Sequence, residues 1–359
     1  MSLLDKLKKN STIKDTAILD QSVFFTEKDM IPTEVPMINV ALSGRLDGGF
    51  TPGLTMFAGP SKHFKTMFSL LVAQAYMEKY EDAVLLFYDS EFGTPIKYFE
   101  TLNIDKERVL HTPITDVEQL KFDIMKQLQE VQRGDKLIIV LDSIGNLASK
   151  KEVDDALDGK SVADMSRAKQ LKSLFRMITP HLTLKDIPMV VVNHTYKEIG
   201  LYPKDIVGGG TGSYYSADNI YIIGRQQEKE GTEIVGYNFI INVEKSRFVR
   251  EKSKIPVTVS FDGGIEKYSG LLDVALESGH VVKPTNGWYA SVDVETGEVG
   301  DKHRLADIMN AEFWDPILEN EKFKTFIEKK YGIAYGNIMG KNELNVNEEE
   351  SGPLSHWNE

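Results

Sequence analysis

The feature that most constrains this chain is an eight-residue loop that directly follows the short apolar run 54–58. The loop consists of Gly59, Pro60, Ser61, Lys62, His63, Phe64, Lys65 and Thr66. Between a buried strand and a helix, such a loop turns its backbone N–H groups toward a polyphosphate. Lys65 would contact the terminal phosphates, and Thr66 would bind Mg²⁺. The pattern predicts an ATP or GTP site, with a chance turn as the alternative because Phe64 replaces the usual glycine.

The composition is that of an ordinary globular protein. The 359 residues, 41% of them apolar, are enough for two domains or for one large domain with appendages. The chain has no cysteine, which excludes disulfides, thiolate metal sites and cysteine nucleophiles. The sequence shows no signal peptide and no apolar run long enough to span a bilayer, so we expect a cytoplasmic protein.

The charge balance bears on nucleic acid as a partner. The net charge of −12 argues against such a partner at first sight. However, the chain from Glu343 onward has five acidic residues and no Lys or Arg, so that the remainder has a net charge of −7. We interpret residues 341–359 as an acidic tail, which either solubilises the protein or competes with DNA for a basic groove.

Beyond a proline-marked linker, the chain alternates between strand-like and helix-like segments. Short apolar strands between charged helices predict the α/β class, with a mainly parallel sheet that is buried on both faces. Three later strand-like runs predict an antiparallel extension, and the residues after them a helical region. The predicted strands are 54–58, 83–89, 137–142, 188–193, 219–223, 237–244 and 256–261, and the predicted helical segments are 66–80, 116–132, 163–184 and 271–331.

The first 20 residues place apolar side chains at near-helical spacing, which predicts one or two short amphipathic helices. So small a unit cannot bury its apolar face alone. It must therefore dock on its own core or on a neighbouring molecule, and Phe24 and Phe25 are candidate docking residues.

Two carboxylates at the ends of predicted strands could complete a nucleotide site. Asp142 ends the run 137–142, where P-loop proteins hold the Mg²⁺ shell. Many ATPases have their catalytic glutamate at the next position, but here it is Ser143, so a base must come from elsewhere. Glu91 is the best candidate, because ligands lie beyond the carboxyl ends of parallel strands. The alternative is a surface acid that caps the following helix.

A third predicted strand ends in polar residues and leads into a glycine-rich segment. Asn193 and His194 could bond a phosphoryl oxygen and lose that bond on hydrolysis, which would make them a nucleotide sensor. Residues 195–213 look irregular, and irregular segments of this length are functional or disordered. Glycine amides could approach phosphates there, and tyrosines could stack on bases. The candidates are Tyr196, Tyr202, Gly208, Gly209, Gly210, Thr211 and Gly212.

Basic residues provide further candidates. Residues 149–160 also look irregular, and they lead into a helix with Arg167 and two lysines, a charged face that is more often simply solvated. Lys245 and Arg247 lie two apart on a predicted strand and would share a face. They could clamp a phosphate or pair with acids on neighbouring strands.

With these motifs in order, the chain resembles a RecA-family recombinase of the kind found in T4-like bacteriophages. The resemblance covers residues 1 to about 340, and its most specific blocks are 59–66, 87–93, 142–152 and 208–212. It implies a RecA-like P-loop ATPase core with a mostly parallel central sheet and an antiparallel extension, flanked by a small N-terminal helical assembly unit and a small C-terminal helical region. The implied division is 1–30 for the assembly segment and linker, 31–270 for the core, 271–340 for the C-terminal region and 341–359 for the tail.

The resemblance also implies roles in the ATP site. Lys65 and Thr66 would bind ATP and Mg²⁺, Glu91 would be the hydrolytic base, and Tyr98 would stack on adenine. His194 stands where bacterial RecA has a glutamine that senses the γ-phosphate, which puts the pH-independence of the switch in doubt.

Other implied roles concern the neighbouring subunit and DNA. Lys245 and Arg247 would reach the ATP of the next subunit in the manner of an arginine finger. Residues 154–160 and 196–211 match two DNA-binding loops, and Arg167 matches a phosphate contact. The family's Phe-x-x-Ala assembly motif, known from archaeal and eukaryotic relatives, is absent from the sequence.

The function predicted on these grounds is a DNA-dependent ATPase. It would form helical filaments on single-stranded DNA, pair them with duplex DNA, exchange homologous strands and act in recombination and repair. A recombination mediator and a single-strand-binding protein would be its partners. The alternatives are a hexameric helicase or motor on the same core, and an assembly factor that binds nucleotide without turnover.

Overall fold

A computed structural model describes residues 1–24, 28–159, 166–198, 200 and 203–333. Its α-helices in chain order are α1 (Leu3–Asn10), α2 (Pro36–Ser43), α3 (Lys65–Lys79), α4 (Ile96–Thr101), α5 (Val117–Glu130), α6 (Lys150–Leu157), α7 (Ser166–Lys185), α8 (Thr211–Ser216), α9 (Leu271–Glu277), α10 (Ala311–Glu319) and α11 (Glu321–Tyr331). Its strands are β1 (Gly53–Ala58), β2 (Val84–Asp89), β3 (Val109–Pro113), β4 (Leu137–Asp142), β5 (Pro188–Asn193), β6 (Thr195–Lys197), β7 (Asp205–Val207), β8 (Asn219–Glu230), β9 (Glu233–Lys245), β10 (Lys254–Ser260), β11 (Gly264–Ile265), β12 (Val281–Thr285), β13 (Trp288–Ser291) and β14 (His303–Arg304). Short 3₁₀ turns occupy Leu19–Gln21, Lys106–Arg108 and Leu305–Ile308.

The central sheet has nine strands in the order β11-β10-β9-β8-β1-β5-β4-β2-β3. The six strands from β8 to β3 run parallel, and β9, β10 and β11 continue the sheet in antiparallel fashion. This arrangement confirms the predicted parallel sheet and its antiparallel extension. The order of the parallel strands differs from their order in the sequence, so that segments far apart along the chain become neighbours.

Both faces of the parallel strands are buried, because successive side chains of a strand point to opposite faces. In β4, Ile138 and Val140 belong to the apolar core that contains Phe68 of α3. Ile139 and Leu141 belong to the second core, on the other face, which contains Phe175 of α7. A strand such as β4 must therefore be apolar at successive positions, because its alternating side chains pack on both faces of the sheet.

Three segments differ from the predictions. The described part of the predicted irregular segment 149–160, residues 149–159, contains α6, which begins with a capping box in which Ser149 and Glu152 each bond the other's backbone N–H. Residues 195–213 contain the paired strands β6 and β7 and the start of α8. Residues 271–331 are helical only in part, because β12, β13 and β14 form a small antiparallel sheet among the helices.

The N-terminal unit is helical, as predicted, and its apolar side chains are exposed. Leu3, Leu4 and Leu7 of α1 are 72%, 54% and 60% exposed. The linker that follows touches the core, where the guanidinium of Arg133 lies 5.2 Å from the ring centroid of Phe24. Phe25 lies outside the described residues. Among the helices in the described ranges, none has the length and apolar character needed to cross a membrane.

Candidate nucleotide and catalytic site

The predicted site residues meet at the carboxyl edge of the parallel strands. Asp89 at the end of β2 is in register with Asp142 at the end of β4, and Ala58 at the end of β1 is in register with Asn193 at the end of β5. Loops that leave these four strands therefore face one another. This edge is where parallel α/β sheets hold their ligands.

The phosphate loop leads directly into α3, whose first residue is Lys65. The Lys65 side chain is buried, and its Nζ donates to the carbonyl oxygen of Pro60 at 2.8 Å. Burial lowers the pKa of the Lys65 ammonium, whereas the nearby Glu91 and Asp142 carboxylates act in the opposite direction. An anionic ligand would therefore relieve the cost of holding this charge away from water.

Phe64 adopts the left-handed conformation that explains why glycine is usual at its position. Its φ is 61° and its ψ is 13°, immediately before the first helical residue. Its ring stacks on Phe239 of β9 with centroids 5.1 Å apart, and it meets Phe68 edge-on at 5.5 Å. The antiparallel extension thus supports the phosphate loop, and packing compensates for the backbone strain.

Asp142 and Thr66 form a candidate Mg²⁺ site. The Thr66 hydroxyl donates to Asp142 Oδ2 at 2.6 Å, while Asp142 Oδ1 is buried and has no hydrogen-bond partner in the described part of the chain. Burial raises the pKa of the Asp142 carboxyl to about 6. A buried oxygen without a partner beside a hydroxyl fits a hydrated Mg²⁺ ion. The described ranges contain no cluster of three or more acidic or histidine side chains that could hold a metal, so phosphate and water oxygens would complete the shell.

Glu91 extends from the end of β2 to meet residues from two other strand ends. Its Oε1 accepts from the Ser143 hydroxyl at 2.6 Å and from His194 Nε2 at 2.8 Å. The His194 hydrogen bond, with a further contribution from Ser143, lowers the pKa of Glu91 against the opposing effect of burial. This carboxylate therefore does not cap the following helix, but is held ionised among three strand ends.

The backbone of the Glu91 loop is fixed by a buried aspartate. Asp89 Oδ1 accepts from the amides of Glu91 and Phe92 at 3.0 and 2.8 Å, which is an Asx turn. Asp89 Oδ2 lies 3.3 Å from Nε2 of His111 on the edge strand β3. Our reading of the sequence missed Asp89, although an acid two residues before a candidate base at a strand end is a recognisable turn signal.

His194 connects this carboxylate to the glycine-rich segment. Its backbone N–H donates to Asn193 Oδ1 at 2.8 Å, and its carbonyl accepts from the Gly208 amide at 2.9 Å. The ring approaches Gly145 so closely that a Cβ there would lie 2.2 Å from His194 Cδ2. Gly145 is thus required for the position of His194, and we did not single it out from the sequence.

The predicted DNA-binding residues divide into exposed and structural positions. Tyr196 on β6 is 57% exposed. Gly212 instead packs against α7, where a Cβ would lie 2.7 Å from the Lys172 Cα, so that glycine is needed there for helix packing. Gly208, Gly209 and Gly210 lie between β7 and α8, and Thr211 is the first residue of α8. Tyr202 and Lys160 lie outside the described residues.

Arg167 on α7 is engaged inside the protein. Its Nε donates to the Leu147 carbonyl at 2.5 Å, and its Nη2 donates to the carbonyls of Ile144 and Gly145 at 2.6 and 3.1 Å. These bonds fasten α7 to the loop after β4. A contact of Arg167 with a DNA phosphate stays a prediction, and it would have to use Nη1 or displace these carbonyls.

Lys245 and Arg247 lie far from the phosphate loop of their own chain. We predicted that the two side chains share a face of one strand, and this was wrong, because β9 ends at Lys245 and Arg247 lies beyond it. Lys245 Nζ donates to three carbonyls at the end of α8, the shortest contact being 2.6 Å to Ala217. Arg247 Nε donates at 2.6 Å to Asp218, whose other oxygen accepts from the Leu54 amide.

These contacts place both cations at the amino edge of the sheet. Leu54 near the start of β1 is five residues from Gly59, which corresponds to about 16 Å along a strand. The two cations therefore lie too far away to contact a nucleotide bound at the phosphate loop of their own chain. Arg247 is 68% exposed despite its ion pair, and can meet another molecule.

The fold and the site define a P-loop nucleotide-binding protein with a RecA-like core. Comparisons with known proteins identify the family within this class. The model of the RecA N-terminal domain matches residues 9–266, and the model described as "Bacteriophage T4, Recombination and repair protein, C-terminal domain" matches residues 268–327. The chain therefore belongs to the RecA family, which confirms the predicted resemblance.

Individual relatives agree with this assignment. The recombination and repair protein of Enterobacteria phage T4 is 51% identical over 337 residues, which cover 92% of this chain and 86% of that protein. Protein RecA of a Nocardioides species is 25% identical over 306 residues, covering 84% and 83%. Protein RecA of Bacteroides thetaiotaomicron is 25% identical over 294 residues, covering 80% and 86%. The chain is thus homologous to recombination proteins along most of its length.

Proposed function

We propose that this chain is an ATP-hydrolysing recombinase that forms helical filaments on single-stranded DNA and exchanges homologous strands. Its relatives carry the names of recombination proteins. The observation that carries the proposal is the hydrogen bond of 2.8 Å between His194 and Glu91. It joins a candidate base at the nucleotide site to the segment with the predicted DNA-binding residues.

The nucleotide would bind across the phosphate loop. Lys65 would exchange its bond to the Pro60 carbonyl for phosphate oxygens, and Tyr98, 38% exposed on α4, would stack on adenine. Thr66 and Asp142 would hold Mg²⁺, which would neutralise negative charge on the phosphates. Loading the site would favour the ionised form of Asp142, whose proton is otherwise retained more strongly because of burial.

Glu91 would act as the general base for the attacking water. Oε1 is occupied by two donors, whereas Oε2 has no hydrogen bond within the described residues. Oε2 is therefore the oxygen free to orient a water and accept its proton. A positioned general base typically contributes about 10²–10⁴-fold to a rate.

His194 would couple hydrolysis to DNA. Because an ionised carboxylate only accepts hydrogen bonds, Nε2 of His194 carries the proton in its bond to Glu91. A γ-phosphate oxygen would compete for the same donor. A shift of His194 between these acceptors would move the Gly208 amide, which is bonded to its carbonyl, and thereby the segment with Tyr196. DNA bound there would bias the same shift in reverse.

The filament would complete the site. Lys245 and Arg247 are at the wrong edge of the sheet for their own ATP, so we propose that they reach the ATP of the next subunit. A contact between two different surfaces that does not close builds a helix of subunits. The exposed leucines of α1 would pack on a neighbouring subunit in the same assembly.

The remaining assignments belong to the same proposal. We retain the division of the chain at residues 30, 270 and 340 and the acidic tail, which lies outside the described residues. Because a phage protein is among the relatives, we place the activity in the cytoplasm of an infected bacterium, together with a mediator and a single-strand-binding protein.

The decisive experiment measures ATP hydrolysis with and without single-stranded DNA for the wild-type protein and for Glu91→Gln. We expect DNA to stimulate the wild-type rate, and the variant to bind ATP normally but to hydrolyse it about 10²–10⁴-fold more slowly. Equal rates with and without DNA would refute DNA-dependent turnover. Equal, measurable rates for the two proteins would show that Glu91 is not the base. No turnover in either protein, with or without DNA, would favour an assembly factor.

Electron microscopy with ATP and single-stranded DNA distinguishes the proposed filament from the remaining alternative, a hexameric helicase or motor. Helical filaments are the expected result. Closed rings would favour a hexameric helicase or motor. Strand exchange between a circular single strand and a homologous duplex then tests the recombinase activity itself.

A further inference from the structure

Ser143 stands immediately after Asp142, where many P-loop ATPases have their catalytic glutamate. It is completely buried, and its hydroxyl donates to Glu91 Oε1 at 2.6 Å. The neighbouring hydroxyl of Ser90 holds the Ser143 backbone, accepting from its amide at 3.0 Å and donating to its carbonyl at 2.6 Å. Ser143 is therefore fixed in place and oriented toward a carboxylate supplied by another strand.

Sheet register explains why this contact is possible. Asp89 of β2 lies opposite Asp142 of β4, so the chain continues past both strands side by side. Ser90 then reaches the backbone of Ser143, and Glu91 reaches its hydroxyl. Glu91, which follows β2, therefore lies beside Ser143, the position after β4 at which many other ATPases have their catalytic glutamate.

The hydroxyl of Ser143 has a definite effect on Glu91. It shares Oε1 with His194, and both donors leave Oε2 open. His194 can exchange its hydrogen bond to Glu91 for one to a phosphate oxygen. Ser143 is buried and its backbone is held by the Ser90 hydroxyl, so it stays in place beside Glu91. Ser143 is the donor that would hold Glu91 in every state of the site.

We propose that Ser143 is a positioning residue for ATP hydrolysis, which holds Oε1 of Glu91 so that Oε2 stays available to the attacking water. This inference rests on the proposed role of Glu91 as the base. It assigns no contact between Ser143 and the nucleotide. Loss of its hydroxyl should therefore affect turnover and leave nucleotide affinity unchanged.

The test compares Ser143→Ala with Ser143→Cys, which keeps the shape but is a weak donor. We expect kcat to fall about tenfold in Ser143→Ala, equivalent to about 1.4 kcal/mol, with a smaller loss in Ser143→Cys. KM and the affinity for a fluorescent ATP analogue should stay within twofold. Ser69→Ala is the matched control, because Ser69 is equally buried and its hydroxyl donates to the Lys65 carbonyl at 2.9 Å, away from Glu91.

The pH profile separates positioning from packing. The Ser143 hydrogen bond contributes to lowering the pKa of Glu91, so its loss should raise that pKa. Because the base must be ionised, the acidic limb of kcat should move to higher pH in Ser143→Ala and stay in place in Ser69→Ala. An unmoved limb in Ser143→Ala, or wild-type kcat in both Ser143 variants, would overturn the proposal.

A double variant distinguishes failure of this proposal from failure of the proposed function. If Ser143 acts through Glu91, Ser143→Ala should cause no further loss in a Glu91→Gln background. An additional tenfold loss there would show a separate role and refute the inference. If Glu91→Gln alone has the wild-type rate, the base assignment itself is wrong.

Discussion

Replacing Phe64 tests whether packing offsets the strained backbone of the phosphate loop. With φ of 61°, this residue occupies a region where a side chain costs about 1–2 kcal/mol and glycine costs little. The ring in turn makes a stacked contact with Phe239 and an edge contact with Phe68. Each such aromatic pair contributes about 0.5–1.5 kcal/mol beyond the apolar area that it buries.

These magnitudes predict an unusual order of stability. Both Phe64→Ala and Phe64→Gly lose the ring, at a cost of about 2–4 kcal/mol, since the ring is only partly buried. Ala retains the strain and Gly relieves it, but Gly also gives the unfolded chain about 0.4–1 kcal/mol more conformational freedom. The strain is the larger effect over most of these ranges, so Phe64→Ala should be less stable than Phe64→Gly by up to about 1.6 kcal/mol.

Urea unfolding followed by circular dichroism, without nucleotide, measures this difference. Phe122 is the matched control, because it is 65% exposed in the interior of α5. There Gly should be less stable than Ala by about 1 kcal/mol, the usual order in a helix. If Gly is also the less stable substitution at position 64, the backbone strain assigned to this position is refuted.

Three further predictions concern the site. Burial raises the pKa of Asp142 to about 6 from the usual 3.8, so the folded state binds this proton more tightly than the unfolded state, and Asp142 lowers the free energy of unfolding as pH rises through that window. Without Mg²⁺, Asp142→Asn should therefore be more stable than wild type by up to about 3 kcal/mol at pH 7.5, but not at pH 4. Urea unfolding measures this, and equal stability of variant and wild type at both pH values would contradict it. Gly145→Ala should displace His194 and lower DNA-stimulated ATP hydrolysis at unchanged ATP affinity. The control Gly93→Ala should behave as wild type, because a Cβ there meets only the Glu91 carbonyl, at 3.7 Å. Similar hydrolysis rates for the two variants would show that Gly145 has no role in coupling DNA binding to hydrolysis. Lys245→Ala and Arg247→Ala should each lower ATP hydrolysis while DNA binding persists. Mixing either variant with Glu91→Gln should restore part of the activity, because some subunit interfaces would then combine an intact Glu91 with intact cations. No recovery at any mixing ratio would argue that the cations have a structural role.

Local patterns in the sequence identified much of the fold. The apolar runs of β4 and β5 have the predicted bounds, because strands buried on both faces must be apolar throughout. The short polar segments were harder to assign. The helix α6 is only eight residues long and has no buried residue, and its clearest signal, the capping box of Ser149 and Glu152, was missed. The small sheet β12–β14 likewise consists of strands too short for a periodic pattern.

The sequence by itself determined the phosphate loop, the acids at the strand ends and the family, since each depends on residues that are close together along the chain. The tertiary structure decided which of these residues meet. Glu91, Ser143 and His194 follow three different strands, and they join at one carboxylate because the sheet places β4 between β2 and β5. It also decided that Lys245 and Arg247 lie at the opposite edge of the sheet from the candidate nucleotide site of their own chain. Strand order and register set these distances, and no spacing along the chain encodes them.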